Sequence, residues 1–241
     1  MCGRFTLRTP WTRLVEQFSL QQAPELPLCY NIAPTQQVAA VRRHAGGKRE
    51  LALLRWGLIP NWARDPAMGA RMINARGETV HEKPAFRSAF KRRRCLVLAD
   101  GYYEWKKGPR KKQPYYFRRK DDRPFALAGL WEAWESSLKE DEPVTTVETC
   151  TIITTAANDL TADIHDRMPV ILPDHAYDAW LATGEGEADA LRDLLRPFSS
   201  ELMQVQPVST HVNSPKNDDA TCIEPLIQTE RGGPAAAMPL Y

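Results

Sequence analysis

The first residues that could do chemistry stand at the start of the chain, Met1-Cys2-Gly3-Arg4. Initiator methionine is normally removed when the next residue is small, and its removal would leave Cys2 with an α-amine and a thiol on adjacent carbons. An α-amine with a pKa of about 7.7–8.0 is partly neutral at neutral pH and condenses with an aldehyde to an imine. The thiol can then add to the same carbon and close a thiazolidine ring. Cys2 is therefore a candidate nucleophile towards aldehydes, although a chain can also begin Met-Cys without chemical consequence.

The remaining cysteines give no second chemical site. The chain has five cysteines in all, widely scattered, and none forms a CxxC pair. This spacing predicts neither a zinc site nor a disulfide framework. Cys95, Cys150 and Cys222 lie in apolar runs and are expected to be small core residues, whereas Cys29 is compatible with either role. No metal and no cofactor are expected.

Length and composition bound the class of protein. The 241 residues are 43% apolar and 26% charged, which is typical of a soluble globular protein with one large domain or two small ones. No apolar run approaches the roughly 18 residues of a membrane span, and no basic region followed by an apolar segment marks a secretory signal. We expect a cytoplasmic protein without a membrane partner.

A net charge of +2 hides a strongly basic stretch over residues 83–123, which holds fifteen Lys and Arg against four Asp and Glu. Any single basic run is typical of a solvated surface. Here four runs alternate with aromatic residues, and this interleaving favours a polyanionic partner, with nucleic acid first among the candidates. The aromatic residues are Tyr102, Tyr103, Trp105, Tyr115 and Tyr116.

The elements that must position these residues predict an α+β fold. We expect a single domain over residues 1–227 with mainly antiparallel β-sheets packed barrel-like and short peripheral helices. Predicted strands cover residues 3–7, 37–41, 51–56, 95–99, 102–106, 114–118, 125–131, 149–155 and 202–208. Predicted helices cover residues 10–18, 84–90, 173–182 and 187–195. The acidic segment 135–146 is expected to be an exposed loop, and the Gly/Pro/Ala-rich segment 228–241 a disordered tail.

Three local signals refine this prediction. Thr9-Pro10 offers an N-cap and a first-turn proline for the first helix. Gly46-Gly47 is typical of the turn of a hairpin formed by strands 37–41 and 51–56. Asp100-Gly101 is a strong turn dipeptide and is expected to join strands 95–99 and 102–106.

Six motifs stand in an order that resembles the SRAP family, the SOS-response-associated proteins that crosslink themselves to abasic sites in single-stranded DNA. Each motif alone is a weak signal, but six in this order are highly specific, and the resemblance extends from Cys2 to about Asn217. The motifs are Cys2-Gly3-Arg4-Phe5, Tyr30-Asn31-Ile32-Ala33-Pro34, Trp56-Gly57-Leu58-Ile59-Pro60, Asn74-Ala75-Arg76-Gly77-Glu78, Asp100-Gly101-Tyr102-Tyr103-Glu104-Trp105-Lys106 and His165-Asp166-Arg167-Met168-Pro169.

The resemblance implies a barrel-like α+β domain with a positively charged groove for single-stranded DNA, acting in association with the chromosome. Its implied active site consists of Cys2, Asn74, Glu104 and His165. The residues implied to hold DNA are Arg4, Pro34, Trp62, Arg76 and Arg167.

The chemistry of these side chains agrees with the implied roles. His165, with a reference pKa near 6.5, can exchange protons as the closed sugar opens to its aldehyde. Glu104 can take a proton as the amine attacks or stabilise a cationic imine, and Asn74 can orient the amine or the sugar hydroxyls. Arg4 and Arg76 suit phosphates.

Structural interpretations remain open for several of these residues. His165 and Asn74 would be ordinary in turns, and Glu104 could pair with a lysine in its strand. Trp62 is as compatible with a buried core position as with a platform for base stacking.

Three functions follow as alternatives. The first is covalent capture of an abasic site through Cys2, with β-elimination of the strand as a side activity. The second is a peptidase with an N-terminal nucleophile, which in its minimal form cleaves the Met1–Cys2 bond. The third is a non-covalent single-strand binder that uses the basic stretch and its aromatic residues.

Overall fold

The computed structural model describes residues 2–20, 25–43, 47–109, 111–136, 144–182 and 190–226. The fold is α+β, as predicted, and mainly antiparallel. The strands of the described residues are β1 (Phe5–Leu7), β2 (Cys29–Ile32), β3 (Gln37–Arg43), β4 (Arg49–Trp56), β5 (Asn74–Arg76), β6 (Arg94–Ala99), β7 (Gly101–Lys107), β8 (Lys112–Arg119), β9 (Phe125–Glu135), β10 (Thr146–Ala156), β11 (Arg167–Pro169), β12 (Ile171–Leu172) and β13 (Met203–Pro207).

Helices are short and peripheral in the described chain. The α-helices are α1 (Trp11–Phe18), α2 (Arg87–Arg92), α3 (Asp159–Ala162) and α4 (Tyr177–Leu181), and 3-10 helices cover Pro66–Arg71, Asp174–Ala176, Ala190–Leu194, Ser200–Leu202, Thr210–Asn213 and Ala220–Ile223. No helix of the described ranges is long and apolar enough to cross a membrane.

Five strands close into a barrel in the order β10-β4-β3-β6-β9, with β9 pairing back to β10. Every pairing in this ring is antiparallel except β10 with β4. β6 is fully buried and runs Arg94-Cys95-Leu96-Val97-Leu98-Ala99, so that both of its faces pack against protein. Barrel-like packing is therefore confirmed, as are the hairpin of β3 and β4 and the core positions of Cys95, Cys150 and Cys222.

The second sheet has the strand order β13-β8-β7-β1-β2. β1 therefore lies inside this sheet, where Phe5 is aligned with Ile32 of β2 on one side and with Tyr102 of β7 on the other. A strand of three residues makes few ladder bonds, but neighbours on both edges and full burial hold it in place. β1 is thus built into the sheet on both of its edges.

The turn predicted at Asp100-Gly101 is not a hairpin turn, because β6 and β7 belong to different sheets. The chain passes from the barrel into the second sheet at this point. Glycine is required at position 101 for another reason: a Cβ there would lie 2.2 Å from Tyr116 Oη. The dipeptide is thus explained by close packing against an aromatic ring.

Asp100 anchors the segment that follows β1. Its buried carboxylate accepts hydrogen bonds from Thr6 Oγ1 at 2.5 Å, from Arg8 N at 2.6 Å and from Thr9 N at 2.8 Å. Thr9 was predicted to cap α1, but its hydroxyl also donates to Asp100, at 3.0 Å, and Pro10 stands at the N-cap without a side-chain hydrogen bond. The Thr9 hydroxyl therefore binds Asp100 and not the N-terminus of α1. The helix begins one residue later than expected.

We expect Asp100→Ala to lower the free energy of unfolding by about 3 kcal/mol, because several buried donors lose their acceptor at once. Urea denaturation measures this loss. Glu201→Ala, at an exposed position, serves as the control and should change stability by less than about 0.5 kcal/mol. Equal stability of the two variants would contradict the anchoring role.

Other boundaries differ from the predictions because propensity fixes helix ends poorly. The helix predicted at 84–90 is displaced to α2, and the helix predicted at 173–182 is a 3-10 turn followed by α4. Of the region predicted as helix 187–195, the described part is the 3-10 helix Ala190–Leu194. Gly46, the centre of the acidic segment and the predicted tail lie outside the described residues.

Candidate active site

Cys2 lies three residues before the start of β1 and has no solvent-exposed surface. Burial, with the charge of Glu104 as a smaller contribution, raises the pKa of the Cys2 thiol well above its ordinary value. The thiol is therefore protonated at neutral pH. Because the thiolate is the nucleophilic form, any reaction of this sulfur as a nucleophile would require a base at the site.

Asn74 binds the backbone carbonyl of Cys2. It begins β5, which lies parallel to β10 with Asn74 aligned to Ile152. Its Nδ2 donates to the Cys2 carbonyl at 2.8 Å. Its Oδ1 is buried, and none of the described residues donates a hydrogen bond to it. A buried acceptor left unsatisfied is costly, so this oxygen is suited to receive a donor at Cys2 itself or on a ligand.

Glu104 lies in β7, where Tyr103 N donates to the Arg4 carbonyl at 3.0 Å and so aligns β7 with the residues next to Cys2. Only 3% of Glu104 is exposed, and this burial raises the pKa of its carboxyl group to about 7. Both protonation states are then populated at neutral pH. A carboxyl group of this kind can accept a proton in one step and return it in another.

His165 faces Glu104 from the loop between α3 and β11. Its Nδ1 accepts a hydrogen bond from Arg167 N at 3.0 Å, so the neutral ring carries its proton on Nε2. Nε2 lies 4.0 Å from Glu104 Oε2, and a small movement would bring the two into hydrogen-bond contact. Burial lowers the pKa of His165, which favours the neutral ring. Asp166 Oδ1, 2.9 Å from Nδ1, can compete for this nitrogen once the ring is protonated.

The first cleft, of about 880 Å³, opens in front of Glu104 and His165. Lys107, Lys111 and Lys112 line it along the β7–β8 hairpin. These lysines belong to the basic runs of the sequence, and the fold collects them on one wall. The cleft thus combines proton-transfer groups at one end with a cationic surface suited to a polyanion.

The second cleft, of about 470 Å³, lies against Asn74 and is lined mainly by apolar surface. Trp62, Phe86 and Arg76 contribute to it. Trp62 is 55% exposed, so the interpretation of this residue as buried core is wrong. An exposed indole, a second ring and a guanidinium together suit a nucleobase with its phosphate.

Arg4 lines the first cleft but is already engaged by protein groups. Its Nη1 donates to Asn31 Oδ1 at 2.7 Å and to the Val212 carbonyl at 2.9 Å. Its guanidinium also lies 6.0 Å from the ring of Trp105. These contacts hold the Arg4 guanidinium in a fixed position at the wall of the first cleft.

Pro34 and Arg167 stand apart from the other predicted DNA contacts. Pro34 is half-buried in the turn between β2 and β3. The Arg167 guanidinium is bound by Glu78, with Nη1–Oε1 at 2.5 Å and Nη2–Oε2 at 2.9 Å. Arg4, Trp62 and Arg76 line the two clefts, whereas these two residues are not among those that line them.

One group of potential metal ligands occurs among the described residues: His211, Asp219 and Cys222, with ligand atoms within 4.8 Å of one another. Asn217 Nδ2 donates to the His211 carbonyl at 2.7 Å and lies 3.2 Å from Nδ1 of the same residue. Nδ1 is thus the acceptor, and Nε2 carries the proton that is donated to Asp219 at 3.0 Å. A metal on Nε2 would require the opposite tautomer, so the group is explained as a hydrogen-bond network.

Several residues that shape the clefts could not be predicted from the sequence. Phe86 lines the second cleft, and Asn213 lines the first, where its Oδ1 accepts from Trp105 Nε1 at 2.8 Å. Buried Asn31 holds this wall by donating to the Val212 carbonyl at 3.1 Å. Asn31 lies in one of the six motifs, but only the fold brings it to residues some 180 positions away.

Comparison with known proteins agrees with the motif pattern. The family model described as SOS response associated peptidase (SRAP) matches residues 1–215. YoqW of Bacillus subtilis strain 168, named an abasic site processing protein, is 44% identical over 228 residues, covering 93% of this chain and 99% of its own length. HMCES of Xenopus tropicalis, with the same description, is 36% identical over 210 residues, covering 78% of this chain and 61% of its own.

A solved structure is similar over nearly the whole chain. A protein from Bacteroides thetaiotaomicron superposes with a TM-score of 0.79 at 26% identity, covering 94% of this chain and all of its own. A protein from Bordetella bronchiseptica gives a TM-score of 0.72 at 31% identity, covering 86% of this chain. With the family model spanning most of its length, the chain belongs to the SOS response associated peptidase (SRAP) family.

Proposed function

We propose that the protein processes abasic sites in DNA, and that it does so by capturing the site covalently in single-stranded DNA through Cys2 after Met1 is removed. The observation that carries the proposal is the arrangement around Cys2: Asn74 holds its carbonyl, and Glu104 and His165 face each other beside it, 4.0 Å apart. Relatives that are 44% and 36% identical bear the name abasic site processing protein. Capture would shield a sugar that otherwise breaks by β-elimination.

The reaction balances without a cofactor. The sugar opens from hemiacetal to aldehyde, and the Cys2 amine attacks the carbonyl carbon to form a C–N bond. Loss of one water gives the imine. The sulfur then adds to the same carbon, its proton passes to the nitrogen, and the thiazolidine ring is closed.

The site residues divide the proton transfers between them. Glu104, with a pKa of about 7, accepts a proton as the amine attacks and returns one as water leaves. The same carboxylate can take the thiol proton that burial holds on Cys2. His165 donates from Nε2 towards the sugar oxygen as the hemiacetal opens. Asn74 Oδ1 accepts from the amine or a sugar hydroxyl and orients it.

The two clefts would carry the strand on either side of the captured sugar. Lys107, Lys111 and Lys112 face the phosphates in the first cleft. Trp62 stacks on a base in the second, and Arg76 contacts its phosphate. Such a path requires unpaired bases next to the lesion, which is the reason for proposing a single strand.

A denaturing gel tests the proposal. Protein is mixed with single strands that carry an abasic site, an intact base or a borohydride-reduced abasic site. Covalent capture gives a shifted band with the first strand only, and Cys2→Ala gives none. A non-covalent binder would leave no band that survives denaturation, and a peptidase would cleave test peptides in the absence of DNA. Either result without the first would overturn the proposal.

Binding should depend strongly on salt because phosphate contacts release counterions. For a single strand the logarithm of affinity falls with the logarithm of salt concentration with a slope of about −0.7 per contact. We therefore expect Lys107→Ala and Lys112→Ala each to reduce the slope by about 0.7 in titrations with the reduced abasic strand. Lys120→Ala, outside the first cleft, is the control. If the affinity of the unmodified protein does not change with salt concentration, the lysines of the first cleft do not bind phosphates.

Capture should slow as pH falls, because both the amine and Glu104 must be deprotonated for attack. Below about pH 7 the logarithm of the rate should approach a slope of two against pH in the unmodified protein and a slope of one in Glu104→Gln. The variant should also be about 100-fold slower at pH 8. Single-turnover rates from pH 5.5 to 8.5 measure both effects, and equal slopes would exclude Glu104 as the base.

The same group makes a prediction for stability. Folding raises the pKa of Glu104 from 4.5 to about 7, so the folded state binds more protons than the unfolded state within this interval. The free energy of unfolding, measured by urea denaturation at each pH, should therefore fall as pH rises from 4.5 to about 7, relative to Glu104→Gln. The same pH dependence in both proteins would show that the pKa of Glu104 is not raised by folding.

A further inference from the structure

The motifs that carry Asn74 and His165 each contain a charged residue that the proposed chemistry does not use, Glu78 and Arg167. These two residues form a bidentate ion pair, with distances of 2.5 and 2.9 Å. The planar guanidinium matches the carboxylate at both oxygens, a geometry that fixes orientation as well as distance. The ion pair therefore joins one motif rigidly to the other.

The pair reaches across β10. On one side Ala156 of β10 is aligned with Arg167 of β11, and on the other Thr154 of β10 is aligned with Arg76 of β5. Arg167 Nη2 also donates to the Thr154 carbonyl at 2.7 Å, and Gly77 N donates to the same oxygen at 2.9 Å. These hydrogen bonds therefore link β11 and the end of β5 to β10 at the Thr154 carbonyl.

The backbone of Arg167 acts directly on His165. Its N–H donates to His165 Nδ1 at 3.0 Å and so selects the tautomer with the proton on Nε2, the nitrogen that faces Glu104. A shift of Arg167 would change both the tautomer and the separation of the two proton-transfer groups. The pairing of β11 with β10 holds the backbone of Arg167, and Glu78 holds its guanidinium.

We propose that Glu78 and Arg167 are a positioning pair, which keeps His165 and Asn74 in register on opposite sides of β10 for the capture reaction. This inference rests on the proposed function and gives Arg167 a role other than the DNA contact implied by the family resemblance. The Arg167 guanidinium also lowers the pKa of Glu78, which keeps the carboxylate charged over the pH range of the reaction.

Glu78→Gln separates the two roles of Arg167. If Arg167 binds a phosphate, loss of the competing carboxylate frees the guanidinium, and affinity for the strand should rise. If the pair positions His165, affinity for the reduced abasic strand should change less than twofold, while capture at saturating strand becomes about tenfold slower. Glu50→Gln is the matched control, because Glu50 pairs with Arg42 at 2.6 Å at the start of β4, the end remote from Trp56.

Rescue by exchange excludes a general loss of structure. Arg167→Glu alone should be slow at saturating strand, and the double variant Glu78→Arg/Arg167→Glu should recover a large part of the rate. Thermal unfolding of each variant identifies any that fail to fold. Because the Glu78 side chain is 52% exposed, Glu78→Gln is expected to fold normally.

A measurement made in the absence of DNA tests this inference separately from the proposed function. Imidazole ¹⁵N shifts of His165 should report the Nε2–H tautomer in the unmodified protein and a mixture of tautomers in Glu78→Gln. If the unmodified protein fails to capture DNA, the proposed function is wrong. The tautomer of His165 then tests by itself whether Glu78 and Arg167 position the imidazole. An unchanged tautomer together with tighter strand binding in Glu78→Gln would overturn the positioning role.

Discussion

A protein with one extra residue in front of Cys2 is expected to lose permanent attachment to abasic DNA altogether. The added residue converts the Cys2 amine into an amide, whose nitrogen cannot condense with an aldehyde. The thiol alone can form only a reversible hemithioacetal, which does not survive denaturation. The thiol, Glu104 and His165 remain in this protein, so the loss would isolate the contribution of the nitrogen.

A fusion cleaved immediately before Cys2 and the same fusion cleaved one residue earlier, to leave Gly-Cys2, form a matched pair. Both are mixed with the abasic strand and analysed on a denaturing gel, and intact mass spectrometry verifies each terminus. Both should bind the reduced abasic strand. Equal amounts of covalent product from the two proteins would disprove the role of the terminal amine.

Cys2→Ser is expected to convert permanent capture into a transient imine. The variant keeps the amine, but its hydroxyl is a much weaker nucleophile than sulfur, so ring closure is lost. The imine then persists long enough to be reduced by borohydride, or it promotes β-elimination and strand cleavage. The adduct formed with borohydride and the cleaved strand are both measured on one gel.

Cys29→Ser is the control for this substitution, because Cys29 is half-buried in β2 and outside the proposed reaction. It should form the same permanent product as the unmodified protein. A Cys2→Ser protein that yields neither a trapped adduct nor broken strands would show that the amine does not attack the sugar.

The family and the fold class could be predicted, and Cys2 could be proposed as the reactive residue, because all three depend on local order in the chain. Cys2 needs only its place after Met1, and the six motifs need only their sequence. The alternation of short apolar strands with turn residues likewise indicated antiparallel sheets. These signals do not require knowledge of which distant segments meet.

What could not be predicted depends on contacts between distant residues. Asp100-Gly101 has the composition of a hairpin turn, but the strands on either side of it lie in different sheets. The position of Trp62 could not be predicted because tryptophan occurs both in cores and at surfaces. Its exposed fraction shows that it lies at the surface. The ion pair of Arg167 with Glu78, 89 positions earlier, likewise leaves no trace in the local sequence.

The interior position of β1 has a consequence for removal of the product. A DNA strand joined to Cys2 would be tied to a strand held between β2 and β7, not to a loose end. Traction on the DNA would load the hydrogen bonds on both edges of β1 together. An ATP-driven unfoldase that engages the other end of the protein would have to dismantle the second sheet before it reached the attachment point. The lifetime of the adduct would then follow the mechanical resistance of the whole domain.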